Sequence, residues 1–430
     1  MCYLHFVRVM PPDTFISRLM RWRPGRIARN TVHASTWSFV RIALQALNLV
    51  LLARVVGANG YGAIAGSVAL FMTCGQFTGL GSGIAFVRHV ARGGEPHSRF
   101  ATTELTYLLS GLLLFALIWP FSTVLLGTMI PSDALAYFAA ADLLIAPTLQ
   151  PLVFRYQAEE RMFLSSAIGT LIPVARLAAV VSTAWSGLHG ISSFAQMYLA
   201  WIIAVTAITL YLTWPRGVTA KFTSSTIETI REGLPYAISS MAFTAGNELD
   251  KTVLLRLAGE AVTGPYAAAY RIVTAATLPV NGLILATSPR LFQTPSARTG
   301  QLVGTMFTVV LGYALIAATL LWLLAPLAPW LLGNGFTAAK PLLRGLCLVV
   351  VTGSVRQLVT ALLTTGDMQK RRNLIEIGGV CALLLLLLLL VPRLGAYGAI
   401  IAVACGDLCV LSVGALALKR QWQIEQEPAR

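Results

Sequence analysis

Three ionisable residues lie close together in a part of the sequence that is otherwise apolar. In GNELDKTVLL, Glu248, Asp250 and Lys251 interrupt a stretch that runs from Leu234 to Leu257. Glu248 and Lys251 stand at the i, i+3 spacing of a local helical ion pair. Alternatively, this side of the helix faces a hydrated cavity in which the charges bind an ion or compensate other charges. These three residues could therefore bind an ion or compensate other charges.

Four polar stripes emerge when the sequence is arranged at helical spacing. They comprise Arg41, Gln45 and Asn48; Ser240, Thr244, Asn247 and Lys251; Tyr270, Arg271, Thr274 and Asn281; and Thr352, Arg356 and Thr360. Arg176, just after Pro173, is a further cation in an apolar context. We predict a substrate-binding cavity lined by Arg41, Arg176, Lys251, Arg271 and Arg356 with the amides of Gln45, Asn48 and Asn247. Such a cavity suits an anion, because the arginine fork matches phosphate and carboxylate oxygens.

The acidic residues near these cations allow two interpretations. Glu248, Asp250, Asp142 and Asp407 either carry a coupled cation, H⁺ or Na⁺, or compensate the arginine charges. A purely structural alternative applies to the whole set, namely ion pairs and hydrogen bonds that hold helices together. Arg41 lies near a predicted helix end, from which it can also reach the headgroups.

These residues must be positioned by membrane helices. The 430 residues are 56% hydrophobic and 11% charged, with a mean hydropathy of +0.73, which exceeds what a soluble chain of this length buries. Apolar windows of about 20 residues mark bilayer-spanning helices. Twelve are predicted, at 35–56, 62–87, 104–127, 133–153, 162–184, 190–214, 234–257, 262–288, 301–325, 341–365, 373–392 and 395–418. The chain is therefore expected to be an all-α polytopic membrane protein.

The net charge of +15 follows from topology and does not indicate nucleic-acid binding. Of 32 Lys and Arg residues, 22 lie in the termini and in alternate loops on one side of the predicted spans, against four on the other. By the positive-inside rule, both termini are cytoplasmic. The predicted divisions are a basic tail over 1–30, an N-lobe over 31–214, a connector over 215–233, a C-lobe over 234–418 and a tail over 419–430.

Catalytic and metal-site motifs are absent from the sequence. It holds no GxxxxGK[ST], HExxH or GxSxG, and neither its five histidines nor its six cysteines have the spacing of a metal site. No catalytic residue, metal site or cofactor is predicted. A membrane-embedded glycosyltransferase stays as the third function to consider, after the two transporter functions given below.

An internal repeat predicts that the twelve helices form two lobes. A shift of 202 residues overlays LLARVVG (51–57) on LLRLAG (254–259), pairing Arg54 with Arg256 and Gly57 with Gly259. Two six-helix lobes in the same orientation are typical of transporters whose substrate binds between the halves. The glycine cluster GLGSG (79–83) locally weakens the second predicted helix and favours a hinge there.

Three segments carry a family resemblance. LLARVVGANGYGAIAGSVALF, DKTVLLRLAGEAVTGPYAAAYRI and VPRLGAYGAIIAVACGDL resemble the polysaccharide flippases of the multidrug/oligosaccharidyl-lipid/polysaccharide (MOP) exporter superfamily, with their MATE-like architecture. The resemblance spans nearly all of residues 30–420. It implies transfer of undecaprenyl-pyrophosphate-linked oligosaccharide repeat units across a bacterial cytoplasmic membrane for O-antigen or exopolysaccharide assembly. The implied partners are this lipid-linked substrate, membrane lipids, and a polysaccharide polymerase with its chain-length machinery.

The alternative transporter function is a multidrug or metabolite antiporter of the same superfamily. Such a protein shares the two-lobe plan, but a cavity for cationic drugs is expected to be dominated by acidic residues. The predicted cations therefore favour an anionic substrate, with the pyrophosphate or a uronic acid as its charged part.

Overall fold

The computed structural model describes residues 26–187, 190–215, 224–293, 301–365 and 368–426, and within these ranges all regular structure is helical. The described part is therefore all-α, as predicted. Residues 1–25 of the predicted basic tail, 216–223 of the predicted connector and 427–430 of the C-terminal tail lie outside these ranges.

The described residues of the first half form seven α-helices, some of them joined by short irregular helical segments. The α-helices are α1 (Arg26–Cys74), α2 (Ser82–Ala91), α3 (Pro96–Leu126), α4 (Ser132–Ala139), α5 (Gln150–Ala158), α6 (Met162–Trp185) and α7 (Ile191–Thr213). A 3₁₀ segment, Gly75–Gly81, joins α1 to α2, and α4 continues to α5 through a π segment, Ala140–Ile145, and a 3₁₀ segment, Ala146–Leu149.

The second half repeats the pattern of long helices. It contains α8 (Ser224–Ala258), α9 (Glu260–Gln293), α10 (Gln301–Leu324), α11 (Leu327–Leu332), α12 (Ala339–Thr365), α13 (Gln369–Leu394) and α14 (Ala396–Gln426), with a 3₁₀ turn at Asn334–Phe336. The segment between the ninth and tenth predicted spans, 326–340, thus contains α11 and this turn.

Nine segments of the described residues are long and apolar enough to cross a membrane. One of them, Thr36–Ala91, holds both the first and the second predicted span. The seventh and eighth predicted spans lie within α8 and α9. These two helices are not among the nine apolar segments, because their polar stripes make them less apolar than the others. Large side chains such as Trp185 and Tyr211 lie on the outer surface, as expected where a protein faces lipid.

Two glycine kinks support the internal repeat. The boundary between the first two predicted spans corresponds to a break in α1 at Gly57, whose backbone is non-helical with a φ of +70°. Gly259, its repeat partner, separates α8 from α9 with a φ of +82°. A left-handed backbone at both sites favours glycine, because other residues carry a Cβ that clashes there. The sequence repeat therefore corresponds to a repeated bend between helices.

The two halves of the chain meet where α1 crosses α8 and α9. A side chain at Gly62 would overlap the Glu260 carbonyl, and one at Gly66 would overlap Leu255. Thr252 Oγ1 donates to the Gly66 carbonyl at 2.7 Å across this contact. Small residues allow the helices to approach this closely. In a membrane this close packing is what holds helices together, because lipid tails leave no hydrophobic driving force for helix association.

Gly62→Ala is expected to destabilise the protein by about 1–3 kcal/mol, since the added methyl has no room in a packed contact. Gly312→Ala is the matched control, because Gly312 lies inside α10 with nothing within 4 Å of an added Cβ. That variant is expected to be unchanged or up to about 1 kcal/mol more stable. Thermal unfolding in one detergent compares the two, and equal stability of both variants would contradict the close contact.

Candidate functional site

The most buried charges of the described chain are Asp250 and Lys251 in α8. The Lys251 side chain is 0% exposed, and its Nζ lies 3.0 Å from Asp250 Oδ1 and 3.3 Å from Glu248 Oε2. The ammonium group also donates to the Asn247 carbonyl at 2.6 Å and lies 3.8 Å from the centre of the Tyr270 ring. Tyr266 donates its hydroxyl to Asp250 Oδ2. Each ion therefore has partners that replace the water it has lost.

Arg271 of α9 is the most exposed of the paired cations in this region. Its two terminal nitrogens contact both oxygens of Glu248, at 3.0 and 3.2 Å, in a bidentate pair. The Arg271 side chain is 32% exposed, whereas that of Glu248 is 11% exposed. Glu248 thus joins the buried Lys251 to a guanidinium group that still has open surface.

Arg356 of α12 connects three helices. Its Nε lies 2.9 Å from Asp407 Oδ1 in α14, and its Nη2 donates to Asn247 Oδ1 in α8 at 2.9 Å. Thr352 donates to Asp407 Oδ2 at 3.1 Å. The predicted stripe of Thr352, Arg356 and Thr360 therefore faces the neighbouring helices. Its Arg356 is buried together with Asp407 of α14.

A second cluster lies in the first half of the chain. Arg176 of α6 contacts both oxygens of Asp142, at 2.9 and 3.1 Å, and Tyr198 donates to Asp142 Oδ1 at 2.6 Å. Asp142 belongs to the π segment Ala140–Ile145, where the widened helix turns it toward α6 and α7. The Arg176 side chain is 23% exposed.

The two clusters lie in different halves of the chain, and the helices that carry Arg176 and Arg271 both pack against α1. Both guanidinium groups act electrostatically on the buried Tyr61 of α1, and Arg176 also acts on Arg271. Each guanidinium group is held by a carboxylate, and each arginine side chain is partly exposed. An anion placed between them would meet two arginines from different halves.

Arg41, Gln45 and Asn48 do not join these clusters. Arg41 is half-buried and Gln45 is exposed, and neither forms an ion pair or hydrogen bond within the described residues. Asn48 has a buried Oδ1 that accepts no hydrogen bond in that part of the chain. These residues do share one face of α1, as predicted, but no carboxylate of the described residues pairs with them. Lys251, with no exposed surface, cannot contact a substrate in this conformation.

Sequence reasoning missed the three tyrosines at these clusters. Tyr61, Tyr198 and Tyr266 lie outside the polar stripes that helical spacing indicated, so only the fold brings them to the ions. Among the described residues, no group of three His, Cys, Asp or Glu side chains could hold a metal ion.

A polar cavity of about 320 Å³ lies beside the Gly75–Gly81 segment. It is lined by both halves of the chain: Gln76 and Ile84; Tyr236, Ser239, Ser240, Phe243 and Thr244; and Gln369 and Arg372. Arg372 is already engaged by Glu376 at 3.2 Å and by Thr364 at 2.8 Å. The remaining lining offers amides, hydroxyls and two aromatic rings, which suit a ligand rich in hydroxyl groups.

A family profile described as "Polysaccharide biosynthesis protein" matches residues 27–295. No curated protein gives a sequence match.

Among solved structures, the chain is similar to an inward-facing multidrug resistance MATE family transporter of the MOP superfamily. The TM-score is 0.67 at 15% identity, covering 96% of this chain and 98% of that one. A MOP superfamily transporter from Pyrococcus furiosus, described as having a binding pocket of reversed polarity that suggests a different function, gives 0.63 at 16% identity with the same coverage. The outward-facing form of a multidrug resistance MATE family transporter gives 0.59 at 17% identity, covering 96% and 99%. These likenesses show a MATE-like fold.

Proposed function

The chain belongs to the polysaccharide biosynthesis protein family, and from this premise we propose that it is a flippase for undecaprenyl-pyrophosphate-linked oligosaccharide repeat units. It is a transporter of the MOP superfamily, not an enzyme. The proposed location is the bacterial cytoplasmic membrane, with twelve spans in two six-helix lobes and both termini cytoplasmic. The transferred repeat units would supply O-antigen or exopolysaccharide assembly.

The observation that carries this proposal is the pair of partly exposed arginines, Arg176 and Arg271, one from each half of the chain. Arginine in a site of low dielectric binds phosphate oxygens more strongly than at a free surface, because water competes less. A pyrophosphate between the two guanidinium groups would replace their mutual repulsion with attraction to a shared anion. Other anionic groups, such as a uronic acid, would bind by the same chemistry.

This arrangement also links binding to movement. A ligand shifts a conformational equilibrium only if it binds one state more tightly than another. An anion that needs both arginines binds tightly only when the two halves hold them close, so binding favours that arrangement. Transport by alternating access then requires a second arrangement in which they separate and the anion leaves.

The carboxylates supply the ion-coupling step of the proposal. Asp142 and Glu248 hold Arg176 and Arg271 while the substrate is absent. When an arginine turns toward the substrate, its carboxylate loses part of that partner and becomes a site for H⁺ or Na⁺. Asp250 and Asp407, each tied to a buried cation, keep a structural role in this scheme.

The polar cavity beside Gly75–Gly81 supports a sugar-bearing substrate. Amide and hydroxyl groups pair with sugar hydroxyls, and the Tyr236 and Phe243 rings offer apolar faces for sugar C–H groups. In our proposal this cavity receives the oligosaccharide on the side that the charge pattern assigns to the cytoplasm. A polymerase with its chain-length machinery would use the repeat unit after transfer.

Deletion of the gene in its host is expected to leave lipid-linked repeat units on the cytoplasmic leaflet and to abolish the surface polysaccharide. Leaflet-specific labelling of the lipid-linked sugar and analysis of the surface polymer measure the two effects. Normal polymer with altered drug tolerance would instead establish the multidrug or metabolite antiporter.

A further inference from the structure

Glu104 is a buried carboxylate outside the clusters described above. It lies on α3 and is 7% exposed, and its Oε2 is buried without a hydrogen-bond partner in the described structure. An ionised carboxylate without partners is strongly unfavourable in such a place, whereas the neutral acid is tolerated. The position therefore selects for a bound proton.

Among the described residues, no charged side chain forms a hydrogen bond or an ion pair with Glu104 Oε2. The elements packed against α3 carry several ionisable side chains, which include Arg88 and His89 on α2, Asp133 and Tyr137 on α4, Asp142 on the π segment, Arg155 and Tyr156 on α5, and Arg231 and Glu232 on α8. Arg155 is paired with Glu159 at 3.0 Å and Asp142 with Arg176. On α3 itself, Arg99 donates to Thr229 at 3.2 Å. Tyr107, one turn along, is the titratable neighbour that Glu104 influences among the described residues.

Tyr107 and Ser110 connect Glu104 to the break in the second span. A Cβ at Gly79 would overlap the Tyr107 ring, so the ring lies directly on the Gly79 backbone. The Gly79 N–H donates to Ser110 Oγ at 2.7 Å, and this hydroxyl donates to the Thr106 carbonyl at 2.6 Å. Thr78, Gly79 and Leu80 all have non-helical dihedral angles. The face of α3 that carries Glu104 thus holds an irregular segment in place.

The same segment touches the other half of the chain. A Cβ at Gly81 would overlap the Gly233 carbonyl of α8, and Gln76 of this segment lines the polar cavity between the halves. Any shift of Gly75–Gly81 would therefore change that contact and the cavity.

We propose that Glu104 is a proton-binding site whose protonated form stabilises the packing of Gly75–Gly81 against α3, and whose ionisation releases that segment. The inference goes beyond the proposed function, because it concerns the empty transporter and needs no particular substrate. Ionisation favours any arrangement that lets water reach the carboxylate, so the packed form weakens as the pH rises. A one-proton linkage changes this opening equilibrium by up to about tenfold per pH unit.

The test uses the full chain in lipid nanodiscs without substrate. Infrared spectra are recorded near neutral pH, where an exposed glutamate with a pKa of about 4.3 is ionised. We expect the carbonyl band of a protonated carboxylic acid, shifted by ¹³C-glutamate and lost in Glu104→Gln. The matched control is Glu228→Gln, since Glu228 is exposed on α8, and it should retain the band.

Hydrogen exchange of peptides covering 75–81 tests the linkage in the same samples. After correction for intrinsic exchange, wild-type protection should fall up to about tenfold per pH unit, while Glu104→Gln stays protected at every pH. Absence of a ¹³C-sensitive acid band, or a pH dependence in Glu104→Gln equal to that of wild type, would overturn the proposal. The band measured in wild-type protein keeps the test decisive even if the glutamine variant does not fold. Because no substrate is used, either failure would leave the proposed flippase function untouched.

Discussion

Lys251→Met is expected to destabilise the protein by about 3–5 kcal/mol, because it leaves the buried Asp250 and part of Glu248 without their cation. Methionine has nearly the same length, so the loss reports charge more than volume. The free energy of unfolding, or the midpoint of thermal unfolding in one detergent, measures the effect. Folded yield after expression should fall in parallel.

The double variant Asp250→Asn, Lys251→Met should recover most of this loss, since no unpaired charge then stays buried. Arg256→Met is the matched control, because it also replaces a cation of α8 by methionine, but at an exposed side chain. Its effect should be within about 0.5 kcal/mol of zero. If Lys251→Met proves as stable as Arg256→Met, the ion cluster in α8 does not support the fold as described.

Arg271→Ala is expected to reduce transport by at least about tenfold, while the protein still inserts and folds. The reason is that a hydrogen bond to a charged group contributes about 1.5–3 kcal/mol, and 1.4 kcal/mol corresponds to tenfold. Arg271→Lys should retain part of the activity, because the charge stays and the bidentate fork is lost. The measurement is transport normalised to folded protein.

A structural and a substrate-binding role of Arg271 give different results in the double variant Glu248→Gln, Arg271→Ala. If the pair only stabilises helices, removing both charges restores stability and transport together. If the pair takes part in transport, through Arg271 as a substrate ligand or Glu248 as the ion site, stability returns and transport does not. Arg344→Ala is the control, since Arg344 lies in α12 over the Trp322 ring at 4.4 Å and away from both clusters. Its normalised transport should match wild type.

The positions of the helices could be predicted because hydropathy and helical periodicity are local properties. The GLGSG stretch also indicated where the second span weakens, and the structure breaks the α-helix at Gly75–Gly81. Gly57 and Gly259 were paired by the repeat alone, and both bend the chain with a positive φ. The bend at Gly57 without a loop was not predictable, since a glycine followed by Ala-Asn-Gly is equally typical of a turn.

The partners of the charges could not be predicted, because they lie on other helices. Helical phase placed Arg356 and Asn247 on polar faces but could not show that Arg356 would reach both Asn247 and Asp407. The helical spacing of Arg41 places it on a polar face just as clearly, yet no carboxylate pairs with it in the described structure. Glu104 escaped notice because TTELTY stands at a predicted helix start, where polar residues are expected.

The most direct test of the central claim is leaflet exposure of the lipid-linked oligosaccharide in vesicles that contain purified protein. A sugar-modifying reagent that cannot cross the bilayer reacts only with the outer leaflet. With wild-type protein, the initially protected inner-leaflet pool should become reactive, and with Arg271→Ala it should stay protected. Protection unchanged by the wild-type protein, in vesicles where its folding is verified, would contradict the proposed flippase activity.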